Sequence, residues 1–458
     1  MNRIPRSAAV LLLASATALP AERLSLEQCI DLALDSNTQV LQAEQQVLRS
    51  EADVASARAQ RLPSLSTTLA NLGRSRTGPS LRIQENPTGQ VDPETGERIF
   101  AEERTRIPAI DRSSYSLSAG VGHTIWDGGA RRWSHRGARE SLAASELGLR
   151  SGRDGVVFQV KQRYYGLLKA QELVEVQEEA LKLSLKRQEE AEIRLEVGAG
   201  TRVDLLRLQV AADNARADLI NAEQQVQLAR ASLNHVLGRG LWAPLETTPL
   251  AGDPALPPET AEAETMAGLV DRAKRSNPGL EQARRNRSSA EMNLKARRAA
   301  WHPRLSGNLS YSRNNEVFER VYGDLDQNYR LNAGLSLTYQ LFDGGLRSAD
   351  VDRARSSLES ARLGLEQQER DLALSVETTY LELVRLGRIL RIARRTAELA
   401  AEDLRLAEER YRVGKGRLLE VLDAQVGLTS ARNNRVNTRY DLALAEADLE
   451  RLTGEPAP

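Results

Sequence analysis

The sequence predicts a mainly α-helical chain with a transmembrane β part, built from two tandem copies of one structural unit. The first observation is a motif of one aromatic residue, aspartate and two glycines at Trp126–Gly129, which returns 216 residues later at Phe342–Gly345. The other two observations are helical heptads that follow each motif and alternating strands that precede it. A repeat that keeps its spacing indicates that one supersecondary unit has been duplicated.

The repeat continues along the chain and sets its expected boundaries. Matches at the same spacing are Tyr164 with Tyr380, Arg194 with Arg410, Val197-Gly198 with Val413-Gly414, Gln209 with Gln425, and Gly238 with Gly454. Upstream, Pro63 matches Pro303 at a spacing of 240 residues, so the first copy carries 24 additional residues between Pro63 and Trp126. We therefore expect a first repeat at 22–238, a linker at 239–261, a second repeat at 262–454 and a tail at 455–458.

The charge balance excludes a bulk attraction to nucleic acid or to an anionic surface. The chain has 63 basic and 63 acidic residues and a formal net charge of zero. Charged residues make up 28% of the chain and aromatic residues only 4%. This balance is typical of long helices with solvated faces rather than of a thick aromatic core.

Residues 1–21 have the pattern of a secretory signal peptide. Arg3 and Arg6 give a positive start, an apolar run follows, and small residues allow cleavage after Ala18 or Ala21. A membrane anchor is the alternative, but the run from Ala8 to Leu19 is shorter than the about 20 residues that span a bilayer. We expect an exported chain.

Reactive side chains are few, and the sequence predicts no enzyme, no cofactor and no metal site. The four histidines (His123, His135, His235 and His302) lack metal-ligand spacing, and no nucleophile or phosphate-binding motif is present. Cys29 is the only cysteine, so no intramolecular disulfide is possible. The residues before it are not the small ones expected at a lipidation site, which favours a buried, apolar role.

Proline positions predict where the long helices lie. No proline occurs between Pro108 and Pro244, or between Pro303 and Pro456. An interior proline costs a helix about 3 kcal/mol, so these tracts can hold long helices. We expect helices at 130–197, 201–237, 346–413 and 417–452, and one further helix before each of Pro63 and Pro303. A long helix of this kind would measure about 100 Å.

An apolar seven-residue period predicts that these helices pack side by side. The seam comprises Val160, Leu167, Val174, Leu181 and Leu195 in the first copy, and Val376, Leu383, Leu390, Ala397, Leu404 and Tyr411 in the second. Heptads of this type are typical of coiled coils. A parallel stripe of small residues at Ala393, Ala400 and Ala407 allows a second neighbour to approach. Helices with neighbours on both flanks favour a curved wall or tube.

Two amphipathic hairpins, at about 64–126 and 304–342, precede the long helices. Apolar residues alternate with polar ones at Tyr115, Leu117, Ala119 and Val121, and again at Tyr329, Leu331, Ala333, Leu335, Leu337, Tyr339 and Leu341. Strands of about ten residues with one apolar face match transmembrane β-strands. Aromatic residues at their ends suit a membrane-interface girdle: Trp126, Trp301, Tyr329, Tyr339 and Phe342. A soluble β-sandwich is the alternative, but the helices are too long for a compact domain.

Four strands cannot close a barrel in one chain. Open sheet edges are not tolerated in hydrocarbon, so several copies must contribute strands. Two copies would give eight strands and a filled interior, whereas three would give twelve and room for a pore. We therefore expect a homotrimer with a 12-stranded barrel, four strands per chain, continued by a helical barrel.

With its duplicated hairpins, aromatic-Asp-Gly-Gly turns and Val-Gly-x-Gly reversals in order, the chain resembles the TolC-like outer-membrane efflux channels. The resemblance covers nearly the whole mature chain. It implies a trimeric channel-tunnel in the cell outer membrane of a Gram-negative bacterium, which extends into the periplasm. It also implies two partners, a periplasmic adaptor and an inner-membrane pump, and passive transport of the pump's substrates. Service to type I protein secretion and a secreted coiled-coil scaffold remain the alternatives.

The resemblance also implies a gate at the periplasmic end. Glu420 and Asp423 lie three residues apart, so both fit one helix face, and they match the segment that carries the family's acidic ring. Asp204, Tyr411 and Arg417 are the candidates for polar links that hold the gate closed. Two solvated surface acids are the alternative interpretation of Glu420 and Asp423. The helix reversals are the expected adaptor-docking tips: Val197, Gly198, Gly200, Val413, Gly414 and Gly416.

Overall fold

The computed structural model describes residues 22–249, 252, 256–258, 260, 262–323 and 325–454. The predicted signal peptide (1–21) and tail (455–458) lie outside the described residues. The chain divides into two units. The helical unit comprises the chain up to Glu51, Glu140–Arg287 and the chain from Ser360 onward, and the strand unit comprises Ala52–Arg139 and Ser288–Glu359.

Helices and strands follow the order of the duplicated pattern. The helices are α1 (Leu26–Ser36), α2 (Thr38–Ala59), α3 (Ala130–Glu196), α4 (Arg202–Val236), α5 (Ala263–Ser276), α6 (Pro278–Arg298), α7 (Phe318–Tyr322), α8 (Leu346–Arg412) and α9 (Leu418–Thr453). The strands are β1 (Glu22–Leu24), β2 (Ser64–Thr77), β3 (Ser80–Val91), β4 (Arg98–Ile107), β5 (Ile110–Trp126), β6 (Leu245–Thr247), β7 (Arg304–Asn315) and β8 (Tyr329–Thr338).

The long helices α3 and α8 have the same length, 67 residues each. Their buried residues follow the seven-residue period, because Val160, Leu167, Val376 and Leu390 are almost fully buried. Among the described residues, no helix combines the length and the apolar character that a membrane crossing needs.

The helical unit is held by several apolar clusters rather than by one core. The largest cluster joins α1, α3, α4 and α9 and includes Cys29, Tyr164, Leu233 and Val436. Two others involve α8 and α9, one of them with α5 and α6. Burial raises the pKa of the Cys29 thiol to about 11, which suits its apolar surroundings.

A serine-asparagine pair that occurs in both copies links the first helix of each copy to the end of its last helix. Ser36 Oγ donates to the carbonyl of Leu237 at 2.8 Å, and Ser276 Oγ donates to the carbonyl of Thr453. The asparagine that follows each serine separates two helices, so α1 and α2 replace the single helix expected before Pro63. Gly238 follows α4 at a φ of 68° and lies so close to Ser36 that a Cβ would meet its Oγ at 2.9 Å. Residues that recur in both copies, such as Ser36 and Gly238, therefore contact one another within a copy.

The linker predicted at 239–261 contains a short strand. β6 pairs in parallel with β1, with Leu245 opposite Glu22. Asn234, at the end of α4, fixes the turn that precedes β6 because its amide donates to the carbonyls of Leu241 and Ala243.

The strand unit contains a four-stranded antiparallel sheet in the order β2-β5-β7-β8. Val121 lies opposite Leu65 on one side and opposite Leu309 on the other, so apolar residues form rows across one face. These side chains are largely exposed within one chain, as at Leu335, which is 75% exposed. The sheet therefore presents an uncovered apolar face and two free edges, β2 and β8.

The hairpin regions differ from the sequence prediction in two respects. Region 64–126 holds four strands, because the additional residues of the first copy form a separate antiparallel pair, β3 and β4. In the second copy the connection contains α7, and β8 ends at Thr338, so Tyr339 and Phe342 lie beyond the strand. An insertion at the tip of a hairpin can form a second hairpin. The alternating pattern of the flanking strands does not indicate it.

Candidate gate and docking tip

The two helix reversals are copies of one turn. Gly198 and Gly414 have φ values of 71° and 74°, in the left-handed region that favours glycine. The N–H of Ala199 donates to the carbonyl of Arg194 at 2.7 Å, and the N–H of Lys415 donates to that of Arg410 at 2.8 Å. The second glycine of each turn lies where a side chain has little room. A Cβ at Gly416 would meet the backbone nitrogen of Tyr411 at 3.0 Å.

The turns expose apolar residues beside basic ones. Val197 is 71% exposed and Val413 is 63% exposed. Arg202, Lys415 and Arg417 are exposed next to them. A surface of this chemistry can bind a partner with apolar and acidic groups.

The predicted acidic residues lie in the first turns of α9. Glu420 is exposed and pairs with Arg410 of α8 at 3.7 Å, and Asp423 is exposed one turn further on. The ion pair with Arg410 was not expected from the sequence. Of these two acids, Asp423 forms no ion pair with any residue that the structure describes.

Within one chain, the predicted polar links do not connect to one another. Asp204 takes part in the N-cap of its own helix: Thr201 Oγ1, at the N-cap of α4, accepts from the N–H of Asp204 at 3.1 Å and donates to its carboxylate at 2.7 Å. The Tyr411 ring lies under the guanidinium of Arg194, 5.0 Å from the ring centroid. Arg417 occupies the N-cap position of α9 without a capping side-chain hydrogen bond.

A buried polar network, which sequence reasoning missed, joins α3, α8 and α9 above the turns. Arg187 donates to the amide oxygen of Gln425 and to the carboxylate of Glu408. The amide of Gln425 donates to Ser184 Oγ at 2.7 Å and to the carbonyl of Ala180 at 3.1 Å. Ser184, Arg187 and Gln425 are all buried. The network satisfies a buried cation, which would be costly if unpaired.

Apolar contacts and a cavity surround this network. Leu404, Val421 and Leu428 pack together on one side, and Leu208 and Leu418 pack around Ala191 near the turns. A cavity of about 590 Å³ beside Arg187 is lined by side chains of α3, α4, α8 and α9. The tip therefore has a buried polar network between apolar clusters, with an open cavity beside it.

Comparison with protein families agrees with this arrangement. The chain matches the outer membrane efflux protein family over residues 29–239 and 269–455, the two copies of the repeat. The chain belongs to the outer membrane efflux protein family. Its place is accordingly the outer membrane of a Gram-negative bacterium.

Relatives within the family include proteins of different named roles. The chain is 26% identical to the outer membrane efflux protein BepC of Brucella suis, over 77% of this chain and 75% of BepC. It is 27% identical to the alkaline protease secretion protein AprF of Pseudomonas aeruginosa, over 75% and 70%. It is 26% identical to the toluene efflux pump outer membrane protein TtgC of Pseudomonas putida, over 75% and 69%.

Solved structures of outer-membrane channels share the fold. The CmeC channel of Campylobacter jejuni superposes with a TM-score of 0.77 at 17% identity, over 94% of this chain and 85% of CmeC. VceC of Vibrio cholerae gives 0.75 at 18% identity, over 94% and 96%. The open state of MtrE from Neisseria gonorrhoeae gives 0.73 at 20% identity, over 94% and 89%.

The repeated motif of this family member forms one rigid turn in both copies. Asp343 accepts hydrogen bonds from the N–H of Gly345 at 3.1 Å and from Arg347 Nε at 2.8 Å, and Asp127 does the same with Gly129 and Arg131. Of the predicted interface aromatics, Trp126, Tyr339 and Phe342 lie close to these turns in sequence, whereas Trp301 precedes β7 and Tyr329 begins β8. All five are exposed: Trp126, Trp301, Tyr329, Tyr339 and Phe342.

Proposed function

We propose that this protein is the outer-membrane conduit of a three-part efflux system, through which substrates released by an inner-membrane pump leave the cell passively. The observation that carries the proposal is the open four-stranded sheet with an exposed apolar face, in a member of the outer membrane efflux protein family. Free strand edges are not tolerated in hydrocarbon. Three copies supply twelve strands and a lumen wide enough for a channel.

The periplasmic partner is an adaptor protein that docks at the helix reversals. Val197, Gly198 and Gly200 of one turn, and Val413, Gly414 and Gly416 of the other, give each copy two similar tips. Three copies would present six such tips. Repetition of one turn geometry supports recognition of several tips by copies of one partner.

The gate lies next to these tips. Arg187 holds α8 and α9 against α3 within each chain, and three copies bring Glu420 and Asp423 together around a narrow opening. Carboxylates at a constriction attract cations and repel anions. Asp204, Tyr411 and Arg417, which do not bond to each other within one chain, are available for contacts between copies.

Protein secretion is the second candidate function. It is favoured by the similarity to AprF, whose name describes alkaline protease secretion and whose identity to this chain, 27%, is close to the 26% of the toluene efflux relative. Deletion of the gene distinguishes the two. Greater sensitivity to toxic small molecules supports efflux, whereas loss of a secreted protein from the medium supports secretion.

Planar bilayer recording and native mass measurement of the detergent-purified protein test the channel itself. We expect a trimer and a small, cation-favouring conductance. A chain that is soluble without detergent and conducts no current would instead be a coiled-coil scaffold, and the proposal would be rejected.

A further inference from the structure

Basic side chains surround Trp133 near the start of α3, in the strand unit. The guanidinium of Arg136 lies 5.1 Å from the centroid of the Trp133 ring, and that of Arg132 lies 5.9 Å from it. The ammonium of Lys295, on α6, lies 5.1 Å from the same centroid. Lys295 pairs with Glu291 at 2.7 Å, whereas the two arginines form no ion pair with any residue that the structure describes. Their charges are therefore not neutralised within the described part of the chain.

The end of α2 continues this basic group on the other side of α3. Burial lowers the pKa of the His135 imidazole below its usual value, and the charges of three nearby arginines lower it further. These are Arg61, Arg139 and Arg58. None of the three forms an ion pair with a residue in the described ranges of the chain. With the two arginines beside Trp133 they make five exposed cations, which we call the basic collar: Arg58, Arg61, Arg132, Arg136 and Arg139.

The collar arginines of α3 lie on the side of the helix away from its neighbours. α6 contacts α3 at Gly137, whose carbonyl accepts from Ser289 Oγ at 3.1 Å. α2 contacts α3 at Arg131, which donates to the carbonyl of Gln60 at 2.9 Å. At about 100° per residue, these two contacts lie about 120° apart around α3, with Ser134 between them and the three arginines within about 40° of the opposite direction. A wall of helices curves toward the side on which neighbours converge, so the arginines face away from a lumen.

The second copy forms the same helix start without this charge. The repeat equivalents of Arg132 and Arg136 are Ser348 and Asp352. Asp352 also neutralises a neighbouring cation, because it pairs with Arg355 at 2.9 Å. Both copies nevertheless form the same turn and a helix of 67 residues. The charge of the collar is therefore not needed for folding, which indicates a role in binding.

We infer that the basic collar binds the phosphate groups of anionic phospholipids in the periplasmic leaflet of the outer membrane. The inference rests on the membrane-spanning sheet of the proposed function, because α3 follows β5 directly. Arg132 and Arg136 lie at most about 3 and 9 Å along the helix axis from its first residue, Ala130. The polar layer on each side of a bilayer is about 5–8 Å thick. Arginine side chains are long enough to reach back toward this layer, so the collar lies at the depth of the headgroups.

The chemistry of the collar favours a lipid over a soluble anion. Guanidinium groups donate paired hydrogen bonds to phosphate oxygens. The Trp133 ring beside them suits the boundary between headgroups and acyl chains. A transported anion would not meet arginines that face away from the lumen. The helices leave the sheet on the periplasmic side, where the leaflet consists of phospholipid, and basic groups attract the anionic members of such a leaflet.

Native mass spectrometry of the full-length protein tests the site. The trimer, purified in detergent, is mixed with equal amounts of phosphatidylglycerol and phosphatidylcholine that carry the same acyl chains. We expect the wild type to retain more phosphatidylglycerol. The double variant Arg132→Gln with Arg136→Gln should lower this preference at least about fivefold, which is the contribution of one basic residue near an anionic membrane.

The matched control is Arg353→Gln with Arg355→Gln. It removes the same charge from the start of α8, where both arginines already pair with aspartates, at 2.7 and 2.9 Å. This variant should keep the preference of the wild type. Arg58→Gln with Arg139→Gln removes the other side of the collar, and it should also lower the preference, which keeps the test decisive if the first variant does not assemble.

The possible outcomes separate the lipid site from the proposed function. Equal retention of both lipids by a conducting wild-type trimer would overturn the site and leave the proposed function standing. Displacement of phosphatidylglycerol by an equal concentration of glycerol phosphate would show a site for soluble anions and would overturn the lipid assignment. An altered ion selectivity of the Arg132 and Arg136 variant, with unchanged lipid preference, would place the arginines in the lumen and also overturn it. A wild type that is monomeric and does not conduct would overturn the proposed function itself.

Discussion

Arg187 of α3 donates to the carboxylate of Glu408 of α8, so a buried cation joins the two long helices of one chain. The same guanidinium also donates to Gln425 of α9. We predict that Arg187→Ala lowers the free energy of unfolding by about 1–3 kcal/mol, because the amide oxygen of Gln425 loses its donor in a buried position. Conductance should rise, since α8 and α9 are no longer held to α3.

Thermal unfolding and bilayer recording of the same preparation check both effects. Arg405→Ala is the matched control: Arg405 also lies on α8 and pairs with Glu402 and Glu409, but all three are exposed. Exposed pairs contribute little, so this variant should lower the unfolding temperature only slightly and leave the conductance unchanged. Equal behaviour of the two variants would remove Arg187 from the gate.

The acidic residues of α9 give a prediction about selectivity. The double variant Glu420→Ala with Asp423→Ala should raise conductance and reduce the preference for cations, because carboxylates at a constriction favour cations and exclude anions. Reversal potentials in a salt gradient measure the preference, and single-channel currents measure the conductance.

Arg410 is the control for this experiment, since it pairs with Glu420 within the chain. Arg410→Ala frees the Glu420 carboxylate and should increase the preference for cations. If the double variant keeps the wild-type conductance and selectivity, Glu420 and Asp423 are solvated surface residues and the gate assignment fails.

The fold could be predicted because its determinants repeat. The aromatic-Asp-Gly-Gly motif marks a turn whose hydrogen bonds are the same at Asp127 and Asp343, and the seven-residue period identifies the buried side of α3 and α8. The additional pair of strands, β3 and β4, was not predicted. Its residues occur in the first copy alone, so the repeat offers no second sequence with which to compare them.

The buried network could not be predicted for the same reason. Gln425 was recognised as a repeated residue, but Arg187 has Asp403 as its equivalent and therefore stood outside the repeat. Its role depends on how α3 is rotated about its own axis relative to α8 and α9. Heptad spacing does not define this rotation closely enough to predict which side chains pair. The Arg194–Tyr411 contact was missed on the same ground, although both residues belong to the repeat.

Glycine in the tip gives a prediction about local strain. Gly414→Ala should destabilise the turn by about 1–2 kcal/mol, because an L-residue at a φ of 74° brings its Cβ close to the following carbonyl oxygen. Gly427→Ala is the control, since this glycine lies inside α9 with open space around it and alanine favours the helix. Hydrogen exchange of the amides at 410–420 should become faster in the first variant alone. Equal exchange in both would mean that the left-handed turn is not required.

Glu446 of α9 gives a prediction about pH. Burial, with a further contribution from Glu450, raises the pKa of the Glu446 carboxyl above its usual value. The ionised side chain therefore costs stability at neutral pH, and this cost disappears as the pH falls through the raised pKa and below the value in the unfolded chain. Glu446→Gln removes the cost, so the variant should unfold at a higher temperature than the wild type at neutral pH and at the same temperature in acid.

Glu402→Gln should change the unfolding temperature in the opposite direction and serves as the comparison. The hydrogen bond from Arg405 lowers the pKa of Glu402, so its ionised form stabilises the folded chain above the unfolded-state pKa and this stabilisation is lost as the pH falls. The Glu402 variant should therefore unfold at a slightly lower temperature than the wild type at neutral pH, and the difference should also vanish in acid. Unfolding temperatures for the three proteins across the same pH series separate the two effects from general acid denaturation. If Glu446→Gln lowers the neutral-pH unfolding temperature, the Glu446 carboxylate is stabilised by a partner in the assembled protein rather than penalised by burial.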